Sequence, residues 1–224
     1  MSEFQRAKVF EGLGAVTRLH DLDRTLAVDD FLEALRYGVI EGHRSTPSEP
    51  QTSGGWVRWA KIVGSLRETL RKKGWSLFDK GNHALVVNPS GTIGIVVSSG
   101  DENTGIDDPL IAEPRCNNPK GPALATAVEA NVQHQFADAS PEFRRFTEPS
   151  PARLPSDGTW IFLYIETVDE QRCELSFPTD MEGDYVTGWG ERIIFTGDDG
   201  ERAKRLPRAD DEPPLDVPIA RKVG

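Results

Sequence analysis

The chain has 224 residues, 37% of them hydrophobic and 28% charged, and a formal charge of −10 from 26 basic and 36 acidic side chains. A surface of that sign repels nucleic-acid phosphates, whose capture depends on Lys and Arg displacing counterions, so direct binding of DNA or RNA is not expected. The two cysteines, Cys116 and Cys173, sit in no paired motif and give neither a disulfide framework nor a zinc site.

No apolar run approaches the ~20 residues that span a bilayer, which argues against membrane insertion. The opening Met1-Ser2-Glu3-Phe4-Gln5-Arg6 puts charges where a signal peptide needs an apolar core, so the expected setting is cytoplasmic. Residues 1–24 are mixed, with a short amphipathic turn around Phe10, Leu13 and Val16. Asp29 and Asp30 then open a helical pattern in which Phe31, Leu32, Leu35 and Val39 share a face, with Gly42 as the stop. His43–Gly55 reads as a polar connector rich in breakers.

The clearest helix follows. Trp56, Trp59, Val63, Leu66 and Leu70 keep a 3-4 spacing, basic residues crowd its last turn, and Gly74 is placed as the left-handed cap. Three strands come next, Trp75–Phe78, His83–Asn88 and Thr92–Ser98. The turns Asp79-Lys80-Gly81-Asn82 and Asn88-Pro89-Ser90-Gly91 predict an antiparallel meander. A long loop, Ser99–Gly121, carries five carboxylates and ends at Pro122, where a helix tolerates proline in its first turn.

Leu124, Val128, Val132 and Phe136 predict a helix to about Ala137. A proline-rich connector, Ser140–Gly158, leads to strands at Trp160–Ile165, Arg172–Phe177, Tyr185–Trp189 and Arg192–Phe195. From Asp198 onward prolines and mixed charge predict a disordered tail. The reading is one α+β domain over residues 1–197 and a tail over 198–224. Its sheet is mostly antiparallel, of about five to seven strands, with helices packed on one face.

Long loops inside a domain are usually functional or disordered, so the candidate site is the acidic loop: Asp101, Glu102, Asp107, Asp108, Asn118, Lys120 and Gly121. Oxygen ligands alternate from Asp101 to Asp107 as in a calcium loop, but Gly105 comes one position early and Ala112 stands where a bidentate glutamate is needed. No metal or other cofactor is therefore expected. Lys120-Gly121-Pro122 opens a helix whose first amides are free, which suits a small anion. Glu166, Glu174 and Glu191 sit on strands that could bring them together, although such residues are more often solvated.

Ser98-Ser99-Gly100 resembles a nucleophile turn only loosely, with His83 in the adjacent strand. Trp56 and Trp59 beside Arg58 and Lys61 have the composition of a base-stacking face, but that spacing is more common in a core. With no assembled catalytic set, an enzyme is not the favoured reading. The expectation is a non-catalytic, cytoplasmic interaction or regulatory protein with a protein partner, in the manner of an accessory counter-defence or host-modulating factor. The alternatives are a metal-dependent phosphoester hydrolase using the 101–120 loop, and a sensor of a small anion at the Lys120 helix start.

Overall fold

Residues 6–80, 83–139 and 155–195 are described by the computed structural model. Most of the predicted second connector and the predicted tail lie outside them. The strands are β1 (Lys8–Phe10), β2 (Ser76–Lys80), β3 (His83–Val87), β4 (Ile93–Ser99), β5 (Gly158–Glu166), β6 (Gln171–Glu182) and β7 (Tyr185–Ile194). The helices are α1 (Leu13–Leu22), α2 (Val28–His43), α3 (Ser53–Lys72) and α4 (Pro122–Ala139).

The strands form one sheet in the order β1-β7-β6-β5-β4-β3-β2, so the class is α+β. The expected meander β2-β3-β4 and the β5-β6 hairpin are present, Phe78 pairing with Leu85 and Phe162 with Leu175. The sheet is nevertheless mixed. β4 runs parallel to β5 and β1 parallel to β7, where a mostly antiparallel sheet was expected. Parallel neighbours need a long crossover, and the chain between Ser99 and Gly158, including α4, supplies it. The two late strands expected at Tyr185–Trp189 and Arg192–Phe195 are one continuous β7, paired with β6 through register shifts around Pro178 and Asp180. The N-terminal turn is instead a short strand followed by a ten-residue helix.

Helices cover both faces, which corrects the one-face expectation. Trp160, Phe162 and Tyr164 of β5 join Phe31, Ile62, Leu66 and Leu70 on the α1–α3 side. Ile161 and Leu163 join Leu124, Ala127 and Val128 of α4 on the other. A strand buried on both sides has no polar face to show, which is why β5 reads as an unbroken apolar run. Asn131 anchors α4 from within: its Nδ2 donates to the carbonyls of Thr159 (2.8 Å) and Pro178 (2.9 Å), and its Oδ1 accepts from the Thr159 amide.

α3 begins at Ser53, three residues earlier than its apolar stripe suggests. Trp56, expected in the core stripe, is 67% exposed, while Ile62, Val63, Leu66 and Leu70 fill the buried line. Close approach of α2 to α3 depends on glycine. A Cβ on Gly38 would collide with the Ile62 side chain and lie 2.8 Å from the Arg58 carbonyl, and one on Gly42 would lie 2.9 Å from the Gly54 carbonyl. Gly38→Ala should therefore force the helices apart at a cost of about 1–3 kcal/mol in chemical denaturation, the usual range for overpacking. A variant as stable as the parent would show that the crossing is not glycine-dependent.

Candidate functional site

The C-terminal ends of the parallel strands β4 and β5 open into a cleft of about 760 Å³. Two helices begin at its walls: α3, with Thr52, Gly55, Trp56, Arg58 and Trp59, and α4, with Gly121, Ala123 and Leu124. Ser98, Ser99 and Gly100 come from the end of β4, Tyr164 and Glu166 from β5, and Asn117 to Lys120 from the loop entering α4. The carboxyl ends of parallel strands are where open α/β sheets commonly take ligands, since helix N-termini and loose amides gather there.

Lys120 is the central charge. Its Nζ donates to Ser98 Oγ at 2.5 Å, and its backbone amide is held by the Asp184 carbonyl at 2.7 Å. Among the described residues no carboxylate lies within ion-pair distance of it, and burial pushes its ammonium below the ordinary lysine value. Asn118 Nδ2 donates to Ser99 Oγ at 2.9 Å and Asn117 Nδ2 to the Gly100 carbonyl at 2.5 Å, which fixes the approach to α4. The amides of Leu124 and Ala125 return to the Gly121 carbonyl, so the open donors of this helix start, among the described residues, are those of Gly121 and Ala123.

The opposite wall is internally balanced. Glu166 accepts from Arg58 and pairs with His43 Nε2 at 2.7 Å, so its charge is met within the wall. Trp59 Nε1 donates to the Val97 carbonyl at 3.2 Å. Tyr164 is a neutral phenol whose pKa burial pushes up to about 12. Cys116 is buried beneath Lys120 and Ser98, and burial raises its thiol pKa, which keeps it protonated and unreactive.

Comparison with protein-family models, with curated proteins and with solved structures gives no match. The chemistry must therefore be argued from the side chains alone.

Of the residues expected to form a site, Asn118, Lys120 and Gly121 line the cleft and the acidic ones do not. Asp101 accepts from the amides of Asn103 and Arg115, and Asp108 Oδ1 accepts from the Leu110 amide, so these two carboxylates close their own loop. Burial holds Asp101 above the ordinary aspartate value against those two amides. The Glu102 carbonyl is strapped to Arg172 at 2.8 Å, and no contact ties Asp107 to Lys120.

Among the described residues no three His, Cys, Asp or Glu side chains converge as a metal would need. Millimolar magnesium, manganese or calcium should accordingly leave the melting temperature unchanged. A cation-dependent rise that disappears in Asp101→Asn would return the loop to metal chemistry.

The three strand glutamates do not meet either. Glu166 pairs with Arg58 and His43, Glu191 with Arg18, and Glu174 with Arg192. Ser98 is buried, donates to the Ser99 carbonyl at 3.0 Å and accepts from Lys120. That is the reverse of the proton arrangement in which a base activates a serine. The His83 side chain lies outside the described residues.

His43, Trp56, Arg58, Tyr164 and Glu166 come from α2, α3 and β5, and only the packing of those two helices against β5 brings them together. The apolar run at β5 and the Ser-Ser-Gly stop of β4 were the available signals: a strand buried on both faces suggests parallel neighbours, whose carboxyl ends then become the place to look.

Proposed function

We propose that the chain is a non-catalytic, cytoplasmic regulatory protein that senses a small anionic ligand held in the cleft between the starts of α3 and α4. The observation that supports it most is Lys120: a half-buried ammonium among hydroxyls and amide groups, with no carboxylate partner among the described residues, directly before the open amides of Gly121 and Ala123. Holding a cation away from water costs folding free energy, and an anion would offset that cost while completing the helix start. Among the described residues no helix is long and apolar enough to cross a membrane.

Apart from Trp56, which lines the cleft, the large apolar side chains left exposed among the described residues, Leu13, Val16, Tyr37, Leu77, Leu110 and Val168, are spread over α1, α2, β2, the acidic loop and the β5–β6 turn. Scattered residues of that kind are normal on any surface, so the geometry favours the cleft over a protein-binding face. Isothermal titration with inorganic phosphate and pyrophosphate at low salt tests the proposal. Saturable one-site binding that weakens as salt rises is expected. Absence of binding by both probes would contradict it.

A further inference from the structure

The cleft is far larger than an inorganic anion, and its far wall is aromatic. At about 760 Å³ it lies in the range of small-molecule and cofactor sites, whereas Lys120 and the α4 start occupy one end only. The other end is bounded by Trp56, the most exposed large aromatic side chain among the described residues, with Gln51 and Thr52 beside it. Trp56 comes one helical turn before Trp59, whose ring is fixed by its bond to the Val97 carbonyl, and both ride on a helix pinned against α2 by the Gly38 crossing. An indole left in solvent on a rigid helix at the mouth of a polar cleft is a stacking platform. Planar rings stack on such a face, and the adjoining amide and hydroxyl match the hydrogen-bonding edge of a heterocycle.

Taking the anion reading as its basis, we infer that the ligand is a free nucleoside phosphate, with its phosphate at Lys120, Gly121 and Ala123 and its base stacked on Trp56. The charge of the molecule favours a free nucleotide over a nucleic acid. A nucleic acid would bring many further phosphates to a chain whose formal charge of −10 disfavours them.

The test compares ribose 5-phosphate, a nucleoside 5′-monophosphate and a short single-stranded oligonucleotide by titration calorimetry. The nucleotide should bind about five- to a hundred-fold more tightly than ribose 5-phosphate, the gain expected of one base–aromatic stack. Trp56→Ala should erase that advantage while leaving ribose 5-phosphate affinity unchanged, and Trp56→Phe should restore part of it. Because Trp56 stands in solvent, neither replacement should disturb folding.

Equal affinity for nucleotide and ribose 5-phosphate in the parent, or an advantage that survives Trp56→Ala, would overturn the inference and leave the anion site standing. Tighter binding of the oligonucleotide than of the mononucleotide would overturn the assignment to a free ligand. If ribose 5-phosphate fails to bind where inorganic phosphate does, this inference falls and the anion site stands; if inorganic phosphate and pyrophosphate fail as well, both readings fall.

Discussion

Arg192→Ala should be the most damaging single replacement away from the cleft, lowering stability by about 3–5 kcal/mol in urea or guanidinium denaturation. Arg192 and Glu174 are 1% and 0% exposed and meet through Nη2–Oε2 at 2.5 Å and Nε–Oε1 at 3.0 Å. Glu174 also accepts from the Gly105 amide at 2.8 Å and the Ser176 hydroxyl at 2.7 Å, and Arg192 donates to the Ile106 carbonyl at 3.1 Å. The pair thus fastens the acidic loop to the sheet from inside.

Removing the guanidinium strands a carboxylate with no water and no counter-charge, a loss comparable to much of a domain's net stability. Hydrogen exchange should rise in residues 100–107 together with that loss. A combined Glu174→Leu, Arg192→Met replacement should recover part of the stability, because an apolar pair of similar volume leaves no charge unmet, while the Gly105 amide, the Ser176 hydroxyl and the Ile106 carbonyl lose their partners. A loss below about 1 kcal/mol in Arg192→Ala would mean that the interior there relaxes or admits water.

Lys120→Met should have the largest effect on binding, weakening phosphate and pyrophosphate by roughly ten- to a hundred-fold, the worth of one charge-assisted hydrogen bond. Stability should move the other way. Burial lowers the folded-state pKa of Lys120, so below that pKa the folded protein bears the cost of keeping the ammonium out of water. The cost is relieved as pH rises from the folded toward the unfolded value, because there the unfolded chain binds the extra proton. Lys120→Met should therefore match or exceed the parent in melting temperature at neutral pH while losing the ligand.

For sulfate, whose own charge does not change over this range, affinity should stay level at neutral pH. It should then fall as Lys120 loses its proton, at a pH below the ordinary lysine value. Unchanged affinity in Lys120→Met would remove this residue from the site.

Local patterns made much of this architecture readable. The stripe Phe31, Leu35, Val39 marks α2, and Val63, Leu66, Leu70 marks α3; the turn at Asn88–Gly91 sets the β3–β4 hairpin, where Asn88 Oδ1 accepts the amides of Thr92 and Ile93. What stayed hidden is what distant segments decide. β1 has three residues and exists only because β7 offers an edge; β4 and β5 look alike as apolar strands whether their order is parallel or antiparallel.

The same limit applies to the site. Lys120 stood out because Pro122 announces a helix start. The carboxylates stood out by charge density alone, and two of them proved to be closing turns through backbone amides. The pairing of Glu166 with Arg58 and His43 carries no local signature, since it depends on α2, α3 and β5 converging.

Amide chemical-shift mapping during a titration with inorganic phosphate addresses the central claim most directly, because it reports where an anion sits. The account predicts saturable shifts at Ser98, Ser99, Asn118, Gly121 and Ala123, absent in Lys120→Met, with residues 101–108 unmoved. Shifts centred on the acidic loop, or none that saturate, would contradict it.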